Sequence, residues 1–260
     1  MIKRILGLII ALCVLNTAFA QITYKNGIGG GATVSGSGIV TTGTLNATVA
    51  TSLNALVVVH LSNFSGAGAL VSPSSSGVMG DSKGNTYNIA SARSQGAFGR
   101  SSIWYTTGPS TIVDAAMTWT SNLASSSPSI DVEIFYGYGT FSLDREANNG
   151  VVTATSGSTG SITPLFNGEV IVTGMCDVGR TVAPTVTPGA ITTYSTFVGS
   201  TKYSGAMAME ILAAGSGVPY SSTYSFGSAQ TACLQVVSFN LTPGAATDDG
   251  SGCLILLEGL

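Results

Sequence analysis

Charge is scarce in this chain: 8% of its 260 residues are Asp, Glu, Lys or Arg, and only nine of those are basic. Neutralising phosphates takes clustered Lys and Arg, so nucleic acid is excluded as an expected partner. A sequence pI near 4.9 points the same way. Helix-favouring Glu, Lys and Arg are too few for a coiled coil or a helical repeat. Beyond residue 20 no window sustains apolar residues at i, i+3, i+4 and i+7, so almost no helix is expected there. Histidine occurs once, as His60. Any Ser/His/Asp or Cys/His machinery would have to use it. There is no Gly-x-Ser-x-Gly at a strand-to-helix turn, no closely spaced cysteine pair for zinc, and no calcium loop of the D-x-D-x-D-G kind. No metal or cofactor is expected on these grounds. Disorder is excluded by the opposite property, since the chain is 44% hydrophobic with a formal charge of only −3.

What the chain has instead is 34 Gly, 34 Ser and 31 Thr among short β-branched runs. That composition predicts an all-β protein, a two-sheet antiparallel β-sandwich of jelly-roll or lectin-like type. Residues 1–20 read as a secretory signal peptide. Lys3 and Arg4 precede the apolar run 5–15, and Ala18-Phe19-Ala20 forms a small-residue cleavage site. The expected location is therefore secreted, extracellular or on the cell surface. Removal of the leader would leave seven basic and twelve acidic side chains. It would also leave Cys176, Cys233 and Cys253, an odd number in an oxidising compartment. Cys176 ends one strand-like run and Cys233 opens another, so antiparallel pairing would set them side by side as disulfide candidates. Three free buried thiols acting as small hydrophobes are the alternative.

Four segments are expected along the chain: the leader 1–20, a Gly/Ser/Thr-rich stretch of strands and turns at 21–52, a sandwich at 53–241, and a linker with a C-terminal strand at 242–260. Leu56 to Leu61 reads as a strand buried on both faces. Asp81 to Tyr87 reads as a hairpin, Asp81 closing an Asx turn and Gly84 or Asn85 taking positive φ. Runs 101–107, 112–120 and 130–138 alternate with period two and read as half-buried strands. This alternation places Ile103, Met117, Val132, Ile134, Met207, Met209, Leu234 and Val236 in the core. It also sets Asp131 and Glu133 together on one face, read as solvated. The second half echoes the first: Leu53 to Val59 is matched by Phe166 to Val172, Ile103 to Tyr105 by Met207 to Ile211, and Asp131 to Phe135 by Gln235 to Phe239.

The succession Leu56 to His60, Asp81 to Tyr87, Ile103-Trp104-Tyr105, Asp131 to Tyr138 with Ser142-Leu143-Asp144, and Val237 to Asn240 resembles the jelly-roll β-sandwich modules of secreted bacterial surface proteins and phage virion proteins. The tail Asp249 to Glu258 is similar to a short repeat that trails such modules in virion-like sequences. This resemblance implies a non-enzymatic binding or structural module, with a surface, adhesion or virion-structural role, and carries no catalytic residues. A carbohydrate-binding module is the alternative function. Its candidate ring platform is Tyr136 and Tyr138, where flanking glycines leave ring faces reachable. Expected partners are a glycan or cell surface, or a second copy through the strand Cys253 to Leu257, which is aggregation-prone unless covered. His60, in phase with Leu56 and Val58, is expected to be a strand histidine with a satisfied ring nitrogen. Oxygen-rich groups at Asp144, Glu146 and Asn148, and at Asp248 and Asp249, are the open places for calcium.

Overall fold

The computed structural model describes residues 22–31, 39–45, 54–63, 77–94, 100–109, 115–121, 129–178, 183–198, 202–213 and 216–243. The leader, Cys13, Cys253, Asp248, Asp249 and the C-terminal strand lie outside them. Fourteen strands run along the chain: β1 (Thr23–Gly31), β2 (Ile39–Leu45), β3 (Asn54–Asn63), β4 (Gly77–Asp81), β5 (Asn88–Ser94), β6 (Arg100–Thr107), β7 (Ala115–Ser121), β8 (Ser129–Gly137), β9 (Gly139–Ser158), β10 (Val170–Val178), β11 (Thr185–Thr187), β12 (Ala190–Val198), β13 (Lys202–Ile211) and β14 (Thr223–Pro243). Among the described residues there is no helix. The protein is all-β, and every strand pair is antiparallel.

Three sheets form. One has the order β1-β8-β3-β6-β5, a second β2-β7-β4, and the third β11-β14-β10-β13-β12 with β9 also on β14. The orders 1-8-3-6 and 2-7-4 are those of a chain wound as a jelly roll. The Gly/Ser/Thr-rich stretch 21–52 thus supplies working strands, since β1 pairs with β8 from Thr23↔Tyr136 to Gly31↔Ser129.

The five-stranded sheet is the middle layer. On one face Ala55, Val57, Val59, Leu61, Ile130, Val132, Ile134 and Tyr136 pack with Met79 of β4 and with Tyr87. On the other, Leu56, Val58, Ile103 and Phe135 pack with Val170, Val172, Met207, Val237 and Phe239 of the six-stranded sheet. Burial on both sides explains the unbroken apolar run 55–59 in β3. It also corrects the half-buried reading of β8, whose residues from Ile130 to Tyr136 are all buried. Of the expected core, Ile103, Val132, Ile134, Met207, Leu234 and Val236 are buried and Met209 is partly buried. The side chain of Met117 lies outside what is described.

The Asx turn after β4 forms as its sequence predicts, but no two-strand hairpin does. β4 pairs with β7 and β5 with β6, and the turn, closed by a single Gly80–Thr86 bridge, passes the chain from one sheet to the other. Asp81 Oδ1 accepts from the Lys83 and Asn85 backbone N–H at 2.9 and 3.1 Å. Oδ2 accepts from Asn85 Nδ2 and the Tyr87 hydroxyl, and Gly84 takes φ +82°. Gly80-Asp81-Ser82-Lys83-Gly84 carries the Gly-x-Ser-x-Gly spacing, but it is a β-turn that leads into a strand, with no helix behind the serine.

Candidate functional site

His60 organises the middle of the molecule. Alternation along β3 turns Leu56, Val58, His60 and Ser62 toward the six-stranded sheet. In the ladders His60 stands across from Asp131 of β8 on one side and Ile103 of β6 on the other, and Ser62 stands across from Ser101. His60, Ser62, Ser101, Asp131 and Glu133 are all fully buried. His60 Nε2 lies 2.7 Å from Ser101 Oγ, and Nδ1 lies 3.6 Å from Asp131 Oδ2. The ring thus sits between a hydroxyl and a carboxylate, as expected of a histidine with one satisfied nitrogen.

The opposing sheet is shaped to receive this cluster. A Cβ added at Gly174 of β10 would lie 2.6 Å from His60 Cδ2. One added at Gly205 of β13 would lie 2.5 Å from Ser62 Oγ and 3.2 Å from Asp131 Oδ2. Glycine at both positions lets the backbone of β10 and β13 close over polar side chains. Gln235 of β14, fully buried beside Gly174 in the ladder, reaches across and donates from Nε2 to the Ser101 carbonyl at 2.6 Å. Its Oε1 has no hydrogen-bond partner, and neither does the Ser62 hydroxyl.

Asp131 and Glu133 therefore do not form a solvated outer pair. They face the interior between two sheets, where an ionised carboxylate is costly unless paired. Sequence alternation found that they share a face and misassigned which face was wet. The signal was Phe135, which continues the same phase and belongs to the core. Ser101 and Gln235 carried no signal, because a serine or glutamine within a β-run reads as ordinary strand surface.

This arrangement has the order of contacts of a Ser-His-Asp triad, and all three side chains are fully buried, with β10 and β13 packed over them.

Cys176 and Cys233 stand directly across from one another in the β10–β14 ladder, as the sequence predicts. The disulfide expectation is corrected, for both are free, buried thiols. The thiol of Cys176 is pushed well above its ordinary value, first by its hydrogen bond with Cys233 and then by burial. Buried thiols in contact pack as small hydrophobes.

Tyr136 and Tyr138 do not make a two-ring platform. Tyr136 is 5% exposed and faces the core with Val57 and Ile134, whereas Tyr138 is 62% exposed. Burial raises the pKa of the Tyr136 phenol. Gly137 between them is packed so closely that an added Cβ would strike the Leu241 side chain. Of the calcium candidates, Asp144 is occupied by the Leu165 N–H at 3.0 Å, while Glu146 and Asn148 are exposed strand residues. Among the described residues no three His, Cys, Asp or Glu side chains gather as a metal site.

A second feature lies on the surface. Leu165, Phe166 and Val218 are 49, 48 and 61% exposed, large apolar side chains on two loops. Those loops are bonded to each other, Gly217 N–H to the Pro164 carbonyl and Ser216 Oγ to the Leu165 carbonyl at 2.8 and 2.7 Å. Ser216 N–H also donates to Asn167 Oδ1. Beneath them Glu169 Oε1 accepts from the Phe166 N–H at 2.8 Å. The Glu169 carboxyl is raised above its ordinary range, chiefly by burial, with Asp144 adding to the rise. The two loops that carry these side chains are thus tied together by hydrogen bonds.

No family model matches this chain, and no curated protein or solved structure matches it at significant similarity.

Proposed function

We propose that the protein is a secreted, non-enzymatic β-sandwich module with a surface, adhesion or virion-structural role. The observation that carries this reading is the division of its chemistry. The His60, Ser101, Asp131 and Glu133 cluster is sealed between sheets, while a braced apolar ridge at Leu165, Phe166 and Val218 faces outward. Such a ridge, on a surface with few charges, suits contact with another protein surface better than turnover of a solute. A second copy of the chain is the partner this reading favours. The glycan-binding alternative keeps one exposed ring, Tyr138, where a platform needs a second ring beside it.

Size-exclusion chromatography with light scattering, run beside a glycan array, tests the assignment. The expected result is self-association that falls when Leu165 and Phe166 are both changed to Ser, with no glycan signal. Glycan binding that depends on Tyr138 and ignores the ridge would replace the structural reading with the sugar-binding one. A monomer at all concentrations, with or without the ridge, would overturn the self-contact. N-terminal sequencing of material from the medium tests secretion, with Gln21 as the expected first residue.

A further inference from the structure

We propose that the buried Ser101, His60 and Gln235 form an intramolecular ester, a covalent staple joining the Ser101 hydroxyl to the Gln235 side chain across the two sheets. The inference does not depend on the role proposed above, because it concerns chemistry of the chain upon itself.

The base stands at the nucleophile, and the amide side chain is bonded to the nucleophile's own residue. His60 Nε2 lies 2.7 Å from Ser101 Oγ, within reach to take its proton. For Nε2 to accept, the ring proton sits on Nδ1, which faces Asp131 Oδ2 at 3.6 Å. Asp131 is thus the positioning residue and His60 the catalytic one. The electrophile is the Gln235 carboxamide, whose Nε2 is 2.6 Å from the carbonyl oxygen of Ser101 itself. Its carbon is one C–N bond away, about 1.3 Å. Attack therefore joins groups already held against one residue. Ser62, across from Ser101 in the ladder, offers an unpartnered hydroxyl on the same face for oxygen charge that develops in the transition state.

The step balances without a co-reactant. Ser101 Oγ loses its proton to His60 Nε2 and bonds to the Gln235 side-chain carbonyl carbon. The bond from that carbon to Nε2 breaks, His60 returns the proton to the departing nitrogen, and ammonia leaves. Complete burial of Ser101, His60 and Gln235 excludes the water that would hydrolyse the ester. The reaction occurs once per molecule, so it is self-modification and no turnover.

Mass spectrometry of the folded full-length protein tests it. Trypsin cuts after Arg100, Arg145 and Lys202, placing Ser101 in peptide 101–145 and Gln235 in peptide 203–260. The expected product is one species carrying both peptides, lighter than their sum by about 17 Da, the mass of one ammonia. Hydroxylamine should split it into an unmodified 101–145 and a hydroxamate-bearing 203–260. Changing His60→Ala or Gln235→Ala should abolish the species, and Asp131→Asn should slow its appearance after refolding. Folded wild-type protein that yields only the two linear peptides overturns the proposal, whether Gln235 is intact or deamidated. That measurement needs no variant to fold.

Discussion

Gly174 shows how much one missing side chain decides. The His60 ring occupies the space where a Cβ would stand, at 2.6 Å from the nearest ring carbon. Gly174→Ala is expected to destabilise the protein by about 1–3 kcal/mol, the usual cost of overpacking a closed core. Urea denaturation measures it, and an unchanged midpoint would mean that the two sheets are free to separate locally. Glu169 makes a second residue-scale case. Its folded pKa lies above the ordinary carboxylate value because burial disfavours the charge. The native state therefore binds more protons than the unfolded chain in the interval between the two values, and stability falls as pH rises through it. Glu169→Gln keeps an acceptor for the Phe166 N–H and has no charge to bury. It should flatten that dependence, so urea midpoints from pH 4 to 8 should converge at low pH and favour the variant at high pH. Parallel curves for the two proteins would assign the pH dependence to other groups.

Elements carried their information unevenly. Apolar content on both phases of β3 announced a strand covered on both sides, and Asp81 with Gly84 announced the tight turn after β4, though not that its two flanking strands join different sheets. The same rule failed at β8, where Asp131 and Glu133 alternate with Val132 and Ile134 as if one face were wet. Period two reports which residues share a face and is silent on what covers that face. Only the pairing of β3, β6 and β8, with β10, β13 and β14 stacked above, shows that the acidic face meets His60, and that glycine at positions 174 and 205 makes room for it. The candidate site was therefore legible only as a lone histidine, its partners being supplied by strands 41 and 71 positions along the chain. Register in β10 and β14 was legible, for Cys176 and Cys233 do face each other. Their free state sets a prediction for this pair of strands. In a Cys13→Ser, Cys253→Ser variant the native protein should show no thiol accessible to Ellman's reagent, and unfolding should release both. A cross-strand disulfide would release none.

At the scale of the whole molecule, the two large sheets share one strand order. β3 lies between β8 and β6, with β5 beyond β6, just as β10 lies between β14 and β13, with β12 beyond β13. The sequence echo follows this correspondence strand by strand, with the inner faces of β3 and β10 offset by one residue from the sequence match. The edges differ in protection. Edge strands are normally blunted by charge, proline or irregularity. β5 carries Arg93 and β9 carries Asp144, Arg145 and Glu146, whereas β12 has no charged residue in its nine and, among the described residues, pairs with β13 alone. Its one irregularity lies near the start, between Ile191 and Thr193. The run from Ser195 to Val198 is the place where an added strand meets least resistance. The chain holds a candidate strand in Cys253 to Leu257, tethered to the end of β14 by the nine residues 244–252. Nine extended residues reach roughly 30 Å, enough for an edge of the same molecule or of a neighbour. Deleting 244–260 leaves the paired end of β14 at Pro243 intact. The deletion is expected either to abolish oligomers while sparing the monomer's thermal midpoint, which marks donation between copies, or to lower that midpoint, which marks pairing within one chain. Light scattering and thermal melts that both match the full-length protein would show that the tail covers no edge at all, and would leave the apolar ridge as the remaining route to self-association.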